Sequence, residues 1–386
     1  MSEVARVPQL RFPEFSNEWE KNKLGNLAVI KSGISPSKYE LKTTGSLPFL
    51  KVEDLNNCRK YQFNSRVYSE SLKNSINKNS VIFPKRGAAI RLNKVRINKV
   101  AALMDSNLMA LLPNTELLNT EFLYYKIMLD GLYKIADTST IPQINNKHIL
   151  PYKLNLPILP EQQKIAAFLT AVDNKIEQLS KKQELLGEYK KGLMQQIFSQ
   201  AIRFKADDGS DFPDWEEKRL GGCILENQKS QIQVNFVSDN TERDDVNIYP
   251  FFTSGNKALF TDSPIVEGDN IFLSTGGIAT INFYSGKGSY STDVFCISSV
   301  SENTRFIYYY LLSILIKIDR KLFYGSGLKH LDKKAFRKII TTLPALPEQT
   351  KIANFLSSVD SKIEQVGKQL DESKQFKKAL LQRMFV

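Results

Sequence analysis

Apolar residues recur every three or four positions along two stretches of the chain. From Pro160 they fall at Ile165, Leu169, Val172, Ile176 and Leu179, then at Leu186, Leu193 and Ile197. From Pro347 they fall at Ile352, Leu356, Val359, Ile363 and Val366, then at Leu370, Leu380 and Met384. Alternating steps of four and three are the heptad pattern of a coiled-coil seam. Gln183 and Lys190 interrupt the first seam, Ser373 and Lys377 the second. Phe168 and Phe355 stand beside it and widen the stripe towards another surface. Neither stretch has an internal proline, so each predicts one helix of nearly 40 residues, on the order of 58 Å at 1.5 Å per residue. Pro160-Glu161 and Pro347-Glu348 suit a first turn, where proline is tolerated and an acid complements the helix dipole. A helix of that length with one apolar stripe needs a partner, and the two copies would most simply pack on each other, with the polar seam positions setting register.

The two stretches are also alike residue by residue. Aligned from Leu156 and from Leu343 without gaps, to Phe198 and Phe385, they share 23 identities in 43 positions. A weaker echo opens each half: Glu18-Trp19-Glu20 with Lys23-Leu24-Gly25, against Asp214-Trp215-Glu216 with Arg219-Leu220-Gly221. Glu121-Phe122-Leu123-Tyr124-Tyr125 has a partner in Arg305-Phe306-Ile307-Tyr308-Tyr309. A period this long marks a duplicated domain rather than a solenoid. Similar ends with dissimilar middles suggest one frame carrying two different readers.

The dissimilar blocks, about 15–155 and 212–342, read as mixed α/β. Ser80-Val81-Ile82-Phe83 and Asn270-Ile271-Phe272-Leu273 are short strand-forming runs, each followed by turn residues: Pro84-Lys85-Arg86-Gly87 and Ser274-Thr275-Gly276-Gly277. The Tyr-rich stretches around 119–130 and 303–318 predict helices that pack into cores. In the first block Lys85, Arg86, Arg91, Lys94, Arg96 and Lys99 crowd fifteen positions. Alternation of Lys94 and Arg96 with Val95 and Ile97 predicts a strand with a cationic and an apolar face. Such cations contact phosphates, and arginine also reads guanine edges in a major groove. In the second block the candidates are Lys287, Lys329 and His330, in polar glycine-rich loops.

Charge fits that direction. Lys plus Arg number 53 against 41 Asp plus Glu, a formal +12, which favours a polyanionic partner. With 42% hydrophobic residues the chain can build real cores. No apolar run approaches a membrane span, the opening MSEVARVPQL does not read as a secretory signal, and Cys58, Cys223 and Cys296 form no disulfide framework. The expectation is a cytoplasmic protein. No phosphate-binding GxxxxGK[ST] loop occurs, and His148, His330 and three scattered cysteines offer no zinc spacing. Pro213-Asp214 with Glu216-Glu217-Lys218 reads as an exposed charged turn, not a nuclease centre. The residues favour a binding protein. A coiled-coil scaffold for two partners, or a stand-alone DNA-modifying enzyme with an unrecognised site, are the alternatives.

LPxLPEQxKIAxFLxxVDxKIEQ, present twice behind divergent blocks, resembles the specificity subunit of type I restriction-modification enzymes, which serve bacterial defence. The resemblance spans nearly the whole chain. It implies a non-catalytic, mixed α+β subunit with pseudo-twofold duplication: target recognition domains at 1–155 and 200–342, and spacer helices at 156–199 and 343–386 that pack antiparallel. Each recognition domain would read one half of a bipartite double-stranded DNA target, with the helices setting a separation of up to about 17 base pairs at 3.4 Å per pair. Methyltransferase subunits would dock on the spacer and restriction/translocase subunits would join them. No cofactor is expected on this chain; S-adenosylmethionine, ATP and Mg²⁺ would belong to those partners.

Overall fold

In the computed structural model, residues 7–137, 141–232, 248–255 and 259–386 are described. The chain is mixed α+β and divides into two compact units, residues 1–180 with 368–386, and residues 181–367. That division cuts both long helices, so each unit owns the first part of one and the last part of the other. The segments 1–155, 156–199, 200–342 and 343–386 follow chain order; compactness instead groups each globular block with parts of both helices.

In the first unit β1 (Glu20–Lys23) pairs antiparallel with β10 (Lys153–Leu156), Glu20 opposite Leu156. One sheet runs β2 (Ala28–Ser32), β9 (Leu108–Pro113), β6 (Val81–Pro84), β7 (Arg96–Asn98) and β4 (Tyr61–Gln62). A second runs β5 (Tyr68–Ser69), β3 (Leu47–Leu50) and β8 (Leu103–Met104). Helix α1 (Thr120–Asp130) begins where the Asn119 side chain accepts the Phe122 amide (3.0 Å) and stops at Gly131, whose φ of 74° few other residues adopt. The short α2 (Asn146–Ile149) and β10 lead into the long α3 (Leu159–Phe198). The last turns of the C-terminal helix, α8 (Leu346–Met384), close this unit. Leu380, Met384 and Phe385 join Trp19, Phe122, Ile165 and Leu169 in one core. Lys377 of α8 meets Asp173 of α3 at 2.6 Å, nearer the middle of both helices, so the two parts run antiparallel.

The second unit repeats the plan. β11 (Glu216–Arg219) pairs with β21 (Ile340–Leu343), Glu216 opposite Leu343. The main sheet runs β12 (Ile224–Glu226), β18 (Val294–Ser299), β15 (Asp269–Ser274) and β16 (Ile281–Ser285). A smaller one runs β14 (Leu259–Thr261), β13 (Tyr249–Phe252) and β17 (Ser289–Tyr290), and β19 (Phe323–Tyr324) pairs with β20 (His330–Leu331). Around them lie α4 (Leu220–Cys223), α5 (Thr304–Ser313), α6 (Leu315–Leu322) and α7 (Lys333–Arg337). The single helix expected over 303–318 is broken at Ile314, which leaves helical geometry (φ −106°, ψ 11°). The break re-aims α6, whose Asp319 accepts the Ala279 amide (2.8 Å). Met194 and Ile197 of α3 share a core with Ile352 and Leu356 of α8.

The seam expected from the heptads is largely apolar and buried within these units: Ile165, Leu169, Ile176, Leu179, Ile352, Leu356, Val359 and Val366 are buried, Val172 and Ile363 half-buried. Its two charged interruptions are paired. Lys377 binds Asp173, and Lys190 binds Asp360 at 2.6 Å. Charged seam residues so matched favour one register over its neighbours.

Candidate nucleic-acid interface

In each unit the central strand of the main sheet ends in a loop that is bonded to a second loop from far along the chain. In the first unit β6 gives way to Lys85, Arg86 and Gly87. The Lys85 carbonyl accepts from the Ile144 amide (2.9 Å), and the Gly87 amide donates to the Pro142 carbonyl (2.8 Å). In the second unit β15 gives way to Thr275, Gly276 and Gly277. The Thr275 carbonyl accepts from Leu331 (3.0 Å), and the Gly277 amide donates to the Lys329 carbonyl (2.9 Å). Gly87 and Gly277 carry φ of 73° and 78°, so both turns need glycine. Position by position, Lys85-Arg86-Gly87 answers to Thr275-Gly276-Gly277, and Pro142-Gln143-Ile144 to Lys329-His330-Leu331. The stitch is common to both; the side chains it presents are not.

The cations proposed from the sequence separate into two groups. Arg86 and Arg91 are exposed, and Lys85 is half-buried with its ammonium held below the ordinary lysine value, by burial first and by Arg86 second. Arg91 also lines a cavity of about 390 Å³ with Ile90, Tyr133, Ala136 and Pro142. Lys94 is half-buried in the turn before β7. Val95 and Ile97 are fully buried, as the alternation predicted, but their cationic neighbours serve the fold. Arg96 donates to the carbonyls of Cys58 (2.9 Å) and Val95 (2.7 Å). Lys99 pairs with Glu121 at 3.3 Å and lies 4.3 Å from the Tyr61 ring centre. In the second unit Lys329 and His330 sit on the stitched loop and are exposed, whereas exposed Lys287 is on a different turn, beside Gly288, which bonds Val266 (3.0 Å). Asp214, Glu216 and Glu217 are exposed, and among the described residues no three acids, histidines or cysteines are grouped to hold a metal. No described helix is long and apolar enough to cross a membrane.

The twice-written Pro-Glu-Gln has a role that the sequence reading missed. Glu161 and Glu348 are wholly buried. Arg11 donates to both oxygens of Glu161 (2.8 and 2.7 Å), and Arg203 to both of Glu348 (2.9 and 3.0 Å). Next in sequence, Gln162 accepts the Asn119 amide (2.9 Å) and Gln349 the Asn303 amide (3.0 Å), the residues that cap α1 and α5. The starts of α1 and α5 are thus each fixed to the first turn of a long helix. Further along, Tyr125 donates to Asp173 (2.6 Å) and Tyr309 to Asp360 (2.7 Å). Both phenols are held far above the usual tyrosine value, by burial foremost and by the adjoining carboxylate. Phe168 and Phe355, flagged beside the seam, meet Phe12 and Phe204 edge-on at 5.8 and 5.6 Å. The pairs Arg11-Phe12 and Arg203-Phe204 carry this signal in the sequence, but a four-residue difference in spacing to the following tryptophan conceals it.

Comparison with known proteins agrees with this duplicated geometry. Residues 16–186 and 213–372 both match the model of the type I restriction modification DNA specificity domain. A Methanocaldococcus jannaschii chain described as the type I restriction enzyme MjaX specificity subunit is 27% identical, over 95% of this chain and 93% of that one. The MjaVIII specificity subunit of the same organism is 24% identical, over 96% and 92%. Among solved structures, the type I restriction-modification S subunit from M. genitalium superposes with a TM-score of 0.70 at 16% identity, covering 98% of this chain and 99% of that one.

Proposed function

This chain belongs to the type I restriction-modification DNA specificity family, and we propose that its two stitched loop pairs are the surfaces that read duplex DNA, one half-site each. The observation that supports this is the repetition of one loop scaffold with different side chains: a common backbone frame and a variable face are what a two-part reader requires. Phosphate contacts would come from Lys329 and His330, and base discrimination from Arg86 and Arg91.

On this reading the chain is a non-catalytic subunit and works inside the cell, where its DNA target lies. Methyltransferase subunits bind it along the long helices, and restriction/translocase subunits complete the assembly. S-adenosylmethionine, ATP and Mg²⁺ belong to those partners. The helices act as the spacer between half-sites, and joining two modest readers raises affinity through effective concentration. Mapping methylated bases genome-wide in cells with and without this gene tests the whole reading. A bipartite motif present only with the gene is expected; its absence from cells with an active partner methyltransferase defeats the proposal. The spacer is tested by inserting about four residues, one helical turn, near Gly187 with a matching insertion near Gly367. Spacing should change while both half-sites persist; altered half-site bases would refute the division into readers and spacer.

A further inference from the structure

The second reader carries an exposed apolar edge beside a glycine, Gly276, that stands where the first carries the guanidinium of Arg86. Ile278 is 75% exposed and Leu328 65%. Neither sits on a loop free to fold away. The Ser274 hydroxyl donates to the Ile278 carbonyl (2.9 Å) and accepts from the Thr280 amide (2.8 Å), while Asp319 holds the Ala279 amide (2.8 Å). Leu328 directly precedes Lys329, whose carbonyl takes the Gly277 amide. Two aliphatic side chains held outward on a rigid double loop lose the free energy of burial unless a partner covers them.

Three features say what covers them. First, Gly276 stands at the place of Arg86, and a β-carbon there would lie 3.8 Å from the Leu328 side chain and 3.9 Å from the His330 ring. Leu328 therefore lies beside the position that Arg86 fills in the first reader, where Gly276 leaves it uncovered. Second, the residue answering to Leu328 in the first unit is Ile141, also aliphatic and 59% exposed. Third, exposed Lys329 and His330 follow Leu328, so the apolar edge is flanked by groups suited to phosphate. In a major groove, guanine offers N7 and O6 acceptors to arginine, whereas thymine alone offers a methyl group to an apolar contact.

We propose that Leu328 and Ile278 form an apolar ridge with which the second reader recognises thymine by its 5-methyl group. This deepens the DNA-reading assignment above and rests on it. The test starts from duplexes selected out of a random pool by the full-length chain. Each thymine of the half-site lost on mutating the second reader is then replaced by deoxyuridine, which removes only the methyl. One such replacement should weaken binding about fourfold, the worth of one buried methyl. Leu328→Ala should bind the thymine and uracil duplexes equally and leave the other half-site's preferences unchanged; its exposure means folding should survive, which a thermal melt confirms. A selected half-site without thymine, a uracil penalty that persists in both Leu328→Ala and Ile278→Ala, or a Leu328→Ala variant that keeps full DNA affinity but loses its methyltransferase partner would each overturn the ridge. Failure to select any sequence would instead overturn the DNA-reading assignment itself.

Discussion

The two units place the same backbone bonds at the same positions and put opposite chemistry on them. The first reader has its cations, Lys85 and Arg86, on the loop that leaves the central strand, facing Pro142 and Gln143. The second has Thr275 and Gly276 there, and its cation, Lys329, followed by His330, on the facing loop. On the neighbouring strand Arg96 pairs with Ile82, and Asn282 holds the corresponding place opposite Phe272. A loop pinned by main-chain hydrogen bonds tolerates almost any side chain, so the readers diverge without cost to the frame. The base of each reader behaves differently. There the bonds run through side chains, and the same residue types recur: Arg to Glu, Asn to Gln, Tyr to Asp to Lys.

Within that shared base the first unit is better tied. Trp19 is fully buried and donates to Glu161 (3.3 Å), whereas the buried Nε1 of Trp215 finds no acceptor among the described residues. Lys60 adds bonds to Tyr125 and Thr170 (both 2.8 Å) and an ion pair with Glu121. The residue answering to Glu121 is Arg305, which bonds Ser357 (3.2 Å) and lies 4.9 Å from the Phe283 ring centre.

The sharpest way to break the comparison is at the buried carboxylates. Glu161→Ala leaves Trp19 without its acceptor and the largely buried Arg11 with the Asn17 carbonyl in place of a carboxylate, and should cost about 3–5 kcal/mol, by the usual penalty for breaking a buried ion pair. Arg203 is more exposed than Arg11, so Glu348→Ala should cost less, about 1–3 kcal/mol. Urea unfolding with amide exchange assigns each loss to its unit; equal losses would erase the distinction. On the reading faces, Arg86→Ala should relax selectivity at one base position by about 1–3 kcal/mol. Lys329→Ala should instead weaken all sequences alike and reduce the salt dependence by about one counterion. Binding to single-base variants at two salt concentrations separates these outcomes. Next, Lys190→Met should destabilise the second unit by about 1–2 kcal/mol, more than Lys377→Met costs the first, because Tyr125 retains Lys60 and Thr170. Thermal melts of the two variants decide that order. The smallest effect is chemical. Burial raises all three thiols, Cys296 to about 12, and Arg96 partly offsets the rise at half-buried Cys58. Only thiolate reacts, so near neutral pH alkylation followed by mass spectrometry should find Cys58 modified first and Cys296 last.

Much of the architecture was legible because the long helices write it locally. Heptad spacing, absent prolines and the matched LPEQ segments depend only on residues close in sequence, and local periodicity survives in a one-dimensional record. The candidate site was less legible. Alternation around Val95 and Ile97 located a strand with one buried face, but nothing local said that Arg96 would reach the Cys58 carbonyl or Lys99 would meet Glu121. Conversely Lys329 and His330, a faint signal in the sequence, gained weight once their loop proved to be the counterpart of the one facing Arg86.

By itself, then, the sequence determined that the chain is a duplication with two divergent blocks and two long helices, since duplication and heptad period are properties of residue order. Tertiary structure alone decided which of the first block's cations pair within the fold, that the buried Glu-Gln pair anchors each globular block to its long helix, and that Leu328 lies beside Gly276, the counterpart of Arg86. Those outcomes turn on hydrogen bonds and packing between residues tens to hundreds of positions apart, and such pairings leave no periodic trace in either partner's own stretch of chain.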